Sequence, residues 1–71
     1  MISRNKRNIG KRVRVVSSCK DWGGREGVVK GFRGDWGKLP NGKVSPYVNV
    51  YIYSIKEIWP MPGHLLERIE P

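Results

Sequence analysis

The sequence contains little cysteine, histidine or acid. Cys19 is the only cysteine and His64 the only histidine, and the six Asp and Glu residues are scattered among 71 positions. One cysteine excludes an intrachain disulfide and argues against a thiolate metal site. No CxxC, GxSxG or GxxxxGK[ST] pattern occurs, so these arrangements of converging catalytic groups are missing. We therefore predict that the protein is not an enzyme and has no catalytic residue, metal site, cofactor or small-molecule substrate.

Long apolar runs are also lacking. No segment approaches the roughly 20 apolar residues that a membrane-spanning helix needs, and none follows the start Met1-Ile2-Ser3-Arg4. We expect no membrane span, no secretory signal and a soluble, cytoplasmic protein, in which a lone thiol stays reduced. Sustained 3.6-residue periodicity, the mark of a surface helix, is absent as well. The length suits one small domain.

Positive charge, in contrast, is in excess. Fourteen Lys and Arg against six Asp and Glu give a formal net charge of +8. The first acidic residue is Asp21, and all the charges before it are positive. A basic surface can serve solubility alone, but this polarisation favours a polyanionic partner such as RNA, DNA or an acidic surface.

Residues 1–10 lack apolar periodicity. We interpret them as a flexible basic arm that folding does not need, preceding a domain that spans residues 11–71. The alternative is a tail without function. Deletion of residues 1–8 is expected to leave the melting temperature nearly unchanged.

Alternation of apolar and polar residues predicts the strands. Residues 11–17 alternate valine with arginine, which predicts a strand with a cationic outer face. Residues 26–32 form a second strand, whose glycines indicate bending. Residues 47–54 are the clearest strand, because β-branched and aromatic residues dominate it. Its core face carries Val48, Val50 and Ile52, and its outer face carries the tyrosines.

The remaining segments complete a barrel. Residues 34–46 are predicted as the most mobile internal loop, in which the turn dipeptide Asn41-Gly42 permits a small hairpin. Residues 55–59 are a candidate fourth strand that ends at Pro60, residues 64–66 a 3₁₀ turn, and residues 67–70 a closing strand. The fold class is therefore all-β, a small five-stranded SH3-like barrel with one 3₁₀ turn before the last strand. The predicted core is Val13, Val15, Val29, Val48, Val50, Ile52 and Ile69, together with Leu65 or Leu66.

Residues 11–33, KRVRVVSSCKDWGGREGVVKGFR, resemble the KOW motif. Val13 and Val15 match its first strand, Gly27 its central glycine and Val28-Val29 the segment that follows. The glycine is expected where a Cβ would obstruct the backbone. The loop before Gly27 and the segment 34–46 are longer than is usual in that family. The resemblance implies a module of the ribosomal and transcription-elongation type, which binds RNA, DNA or RNA polymerase.

The layout is also similar to that of the small SH3-like proteins of photosynthetic complexes, such as the one in photosystem I. The similarity lies in the valine-rich first strand, the Gly-Val second strand and the closing segment Gly63-His64-Leu65-Leu66-Glu67-Arg68-Ile69. It implies docking onto other proteins without nucleic acid.

Two sets of candidate site residues follow. Loop tryptophans beside cations could stack on bases or cap the barrel ends, and both interpretations stay open for Trp22 and Trp36. For Trp59, beside Ile58 and Met61, we favour capping. The candidate nucleic-acid-binding residues are Arg4, Lys6, Arg7, Arg12, Arg14, Lys20, Trp22, Arg25, Lys30, Arg33, Trp36 and Lys38. The candidate protein-interface residues are Tyr47, Tyr51 and Tyr53.

The first hypothesis is a small basic module that binds nucleic acid mainly through phosphate contacts, alone or within the transcription or translation machinery. Arg12 and Arg14 lie about 7 Å apart on one strand face, a spacing that lets both contact phosphates. The alternative is a non-catalytic protein-docking component of a larger assembly that uses the tyrosine face.

Overall fold

The computed structural model describes residues 1–69, which form one antiparallel sheet of five strands and two short 3₁₀ turns. The strands are β1 (Arg12–Val15), β2 (Glu26–Lys38), β3 (Val44–Ile52), β4 (Glu57–Pro62) and β5 (Leu66–Arg68). The 3₁₀ turns cover Lys6–Asn8 and Gly63–Leu65. The predicted all-β class and the 3₁₀ turn before the last strand are confirmed. The end of the closing strand predicted for residues 67–70 lies outside the described residues.

The strand order is β4-β3-β2-β1-β5, and every neighbouring pair is antiparallel. The first four strands follow one another as a meander, and β5 returns to pair with β1 through Val15 and Leu66. This is the arrangement of a small SH3-like barrel. No helix of the described residues is long and apolar enough to cross a membrane.

Strand β2 is much longer than predicted, and it is bent. Its pairing with β3 shifts register after Val29, after Phe32 and after Asp35. Each shift locally bends and twists a strand, which lets one strand serve two parts of a curved sheet. The prediction of a loop over residues 34–46 is therefore wrong in extent. Only residues 39–43 form the turn, where Gly42 has a φ of +87° and the Asn41 side chain accepts the Lys43 N–H (2.9 Å), so the turn predicted at Asn41-Gly42 is confirmed.

The core lies on the inner face of the sheet. Six of the seven predicted core residues are fully buried, namely Val13, Val15, Val29, Val48, Val50 and Ile52. Ile69 is only half-buried, and Leu66 fills the core at β5 instead. The structure adds Met61 from β4 and Ile2 from the N-terminal segment.

The N-terminal segment is not separate from the barrel. Ile2 is 2% exposed and belongs to the core cluster, and its N–H donates to the Gly63 carbonyl oxygen (3.0 Å). Asn8 is buried, and its side-chain amide donates to the Ser3 carbonyl oxygen (2.9 Å). The expectation of an arm that makes no core contact is therefore wrong. The sequence does not predict this contact, because a single isoleucine among cations has no apolar periodicity.

Strand β4 continues through the prolines at which the sequence predicts its end. Pro60 pairs with Asn49 and Pro62 with Tyr47, and β4 is an outer strand of the sheet. A proline is tolerated on an edge strand where its missing N–H would have pointed away from the sheet. The two prolines thereby remove donors that could pair with another strand, which protects this edge from aggregation.

Candidate functional site

Two contacts hold residues 4–10 along β2 between Val29 and Asp35. The Gly10 N–H donates to the Val29 carbonyl oxygen (2.8 Å), and the Arg4 guanidinium forms an ion pair with the Asp35 carboxylate (2.6 Å). The two anchors are therefore six positions apart on each chain segment, and the segments run antiparallel. The N-terminal segment therefore continues the direction of β1 along β2, with a 3₁₀ turn at Lys6–Asn8.

This arrangement brings cations from two parts of the sequence together. We name as the basic strip five exposed residues of residues 4–11 and of β2, and they are Lys6, Arg7, Lys11, Lys30 and Arg33. Within residues 1–69, none of the five has a carboxylate within ion-pairing distance. The acids nearest along the strands, Asp35 and Glu26, lie at the two ends and are occupied by arginines. The strip therefore carries uncompensated positive charge.

The pair expected to lead phosphate binding, Arg12 and Arg14, is partly neutralised. Both point outward from β1, as predicted, but Glu26 on β2 lies between them. Its carboxylate is 3.5 Å from the Arg12 guanidinium and 3.9 Å from that of Arg14, and Glu67 on β5 is the register partner of Arg14. Sequence spacing places the two arginines on one face, but only strand pairing shows which carboxylate lies beside them.

A separate aromatic cluster lies around the β1–β2 loop and β4. Trp22 packs against the core, and its ring centroid is 5.6 Å from that of Trp59. The Arg25 guanidinium lies 4.9 Å from the Trp22 centroid and donates to the Ser54 hydroxyl (3.0 Å). Trp22 is thus partly buried, and its exposed side is in contact with Arg25. Lys20 precedes this cluster in the chain and is not part of the basic strip.

Trp36 lies elsewhere, on the far half of β2. Its ring centroid is 4.6 Å from that of His64, which is held in turn by Ser45. The Ser45 hydroxyl lies 2.8 Å from His64 Nδ1 and accepts the His64 backbone N–H (3.1 Å). Trp36 is 44% exposed, and Lys38 follows it on the same strand.

Tyr47 and Tyr51 lie on the outer face of β3, as predicted, and Tyr53 follows the last residue of that strand. Tyr51 pairs across the sheet with Val28 on one side and with Ile58 on the other, and its ring meets that of Tyr53 edge-on at 6.0 Å. Ile58 is 56% exposed. An apolar row therefore crosses β2, β3 and β4 on the outside of the sheet.

Two participants are not among the candidate residues that the sequence predicts. Lys11 belongs to the basic strip, and the charge run before Asp21 could have indicated it. Ile58 belongs to the outer apolar row, and only the register of β4 reveals it. Among residues 1–69, no group of three or more His, Cys, Asp or Glu side chains could hold a metal ion.

Comparisons with protein-family models, with curated proteins and with solved structures find no match to this chain.

Proposed function

We propose that the protein is a small non-catalytic module that binds nucleic acid, mainly through phosphate contacts of the basic strip. The observation that carries the proposal is the excess of exposed, unpaired cations on two segments that the Gly10–Val29 hydrogen bond and the Arg4–Asp35 ion pair hold side by side. Such a strip attracts a chain of phosphates, whereas scattered cations mainly raise solubility. The KOW-like segment 11–33 supports the same class of partner and suggests a place beside a polymerase or a ribosome.

Binding of this kind follows from counterion release. Each phosphate that a Lys or Arg neutralises frees condensed cations, so affinity falls as salt rises. Phosphate contacts position a protein on nucleic acid but carry no sequence information. The proposed module therefore binds RNA or DNA with little sequence preference of its own.

The double variant Lys30→Gln/Arg33→Gln tests the strip. It should weaken binding to RNA and DNA alike and flatten the plot of log affinity against log salt by about two units, one for each lost phosphate contact. Both side chains are exposed, so the circular dichroism spectrum should not change. The measurement is fluorescence anisotropy at several salt concentrations.

The matched control is Lys20→Gln/Lys56→Gln, which removes the same charge from residues outside the strip. It should change the salt slope much less than the strip variant does. Equal flattening by both variants would show that only net charge matters, and an unchanged slope in the strip variant would contradict the proposal.

Glu26→Gln supplies a test in the opposite direction. The substitution releases Arg12 and Arg14 from their shared carboxylate, so affinity should rise and the salt slope should steepen by about one unit. Stability should change by less than about 1 kcal/mol, because exposed ion pairs contribute little. Glu57→Gln, the same charge change on β4, is the control. A Glu26 variant that binds no better than this control would show that Arg12 and Arg14 do not extend the interface beyond the basic strip.

A second candidate function is protein docking through the outer apolar row formed by Val28, Tyr51 and Ile58. The observation that favours it is the exposure of Ile58 next to Tyr51, since contiguous apolar surface marks interfaces. A pulldown with and without nuclease separates the candidates. A protein partner that survives nuclease and is lost in Tyr51→Ala supports docking, whereas a partner lost with nuclease supports nucleic-acid binding.

A further inference from the structure

Trp36 is an exposed aromatic ring next to positive charge. Arg33 precedes it by three residues and Lys38 follows it by two on the bulged part of β2, so their backbone positions lie at most about 10 Å and about 7 Å from that of Trp36. The one carboxylate adjoining it in the chain, Asp35, is held by Arg4. Along β2, the indole of Trp36 therefore lies between Arg33 of the basic strip and Lys38.

The Trp36 indole also packs against a side chain that is itself held in place. His64 contacts it, and the two hydrogen bonds with the Ser45 hydroxyl hold the imidazole and its backbone in place. Ser45 is fully buried, so the support is tied to the interior of the barrel. A ring that is held in place before binding loses less conformational freedom when a ligand stacks on it.

Trp59 provides the contrast. It is 43% exposed, almost the same fraction as Trp36, but its indole N–H donates to the Glu57 carboxylate (2.8 Å). A carboxylate beside the ring repels phosphate. Equal exposure with opposite local charge makes Trp36, and not Trp59, the ring suited to a polyanion.

We infer that the ligand of the basic strip is single-stranded nucleic acid, whose backbone follows the strip while one unpaired base stacks on the exposed indole of Trp36. This inference rests on the proposed function. In a duplex the bases are stacked on each other and present only their edges in the grooves, so an indole cannot stack on them without unpairing. Stacking on an aromatic side chain accepts any base, because every base has a π face.

The test uses the full chain and three labelled probes, an oligothymidylate of about 12 nucleotides, an abasic backbone of the same length and a duplex of the same length. The wild-type protein should bind the oligothymidylate about tenfold more tightly than the abasic backbone, which has the same phosphates but no bases. This comparison needs no variant and does not depend on how a substitution folds.

Trp36→Ala should remove that tenfold difference and leave the salt slope unchanged, because stacking releases no counterions. Trp36→Phe should keep most of the difference, and Trp59→Ala should keep all of it. A wild-type protein that binds the abasic backbone as tightly as the oligothymidylate, or the duplex more tightly than either, overturns the inference but leaves the proposed function standing. A wild-type protein that binds none of the probes overturns the proposed function itself.

Discussion

Gly27→Ala is expected to destabilise the protein by about 3 kcal/mol, because a buried atom is added where no space exists. A Cβ at Gly27 would meet the Tyr51 carbonyl oxygen and would lie 2.8 Å from the Val50 side chain. The carbonyl belongs to the β2–β3 ladder, so relief requires moving the backbone. In a domain of this size the loss corresponds to a fall in melting temperature of about 15 °C, measurable by thermal circular dichroism.

Gly31→Ala on the same strand is the matched control. A Cβ at Gly31 meets nothing within 4 Å, and alanine reduces the conformational freedom of the unfolded chain. The free energy of unfolding should therefore stay the same or rise by about 0.5 kcal/mol. Equal melting temperatures for the two variants would show that the close approach at Gly27 does not hold.

Ile2→Ala is expected to lower the free energy of unfolding by about 2–4 kcal/mol, the usual effect of truncating a buried isoleucine. Ile2 is almost completely buried in the core cluster with residues from all five strands. Deletion of residues 1–8 should lower the melting temperature as well, contrary to the behaviour of a free arm. Chemical denaturation measures both effects.

Ile9→Ala is the control in the same segment, since Ile9 is 46% exposed. Its stability should change by less than about 0.5 kcal/mol. If Ile2→Ala and Ile9→Ala proved equally mild, the N-terminal segment would not belong to the core. In that case, deletion of residues 1–8 would test the contribution of the segment to nucleic-acid binding without lowering the stability of the protein.

Much of the fold could be predicted because the alternation of residues within a single strand shows which of its faces is buried. Val48, Val50 and Ile52 alternate with tyrosines, and such alternation can bury only one face of a sheet. Val13 and Val15 alternate with arginines in the same way, and both are buried as predicted. The glycine at position 27 was expected at a close backbone approach, and the structure places the β3 backbone there.

The candidate site could be predicted only in part, because a surface depends on which strands are neighbours. Lys6 and Lys30 are 24 positions apart in the chain, and only the anchors at Val29 and Asp35 bring their segments together. Arg12 and Arg14 were correctly placed outward, but Glu26 between them comes from strand pairing. Trp22 and Trp36 look alike in the sequence, yet one packs on the core and the other is exposed.

The sequence by itself determined the all-β class, the turn at Asn41-Gly42 and the inner faces of β1 and β3, because each follows from the local alternation or backbone preference of a few residues. Only the tertiary structure decided the bulged length of β2, the burial of Ile2 and the composition of the basic strip. Each of these depends on contacts between residues far apart in the chain. A local pattern cannot specify such contacts, since the same exposed lysine or isolated isoleucine fits a free tail as well as a packed edge.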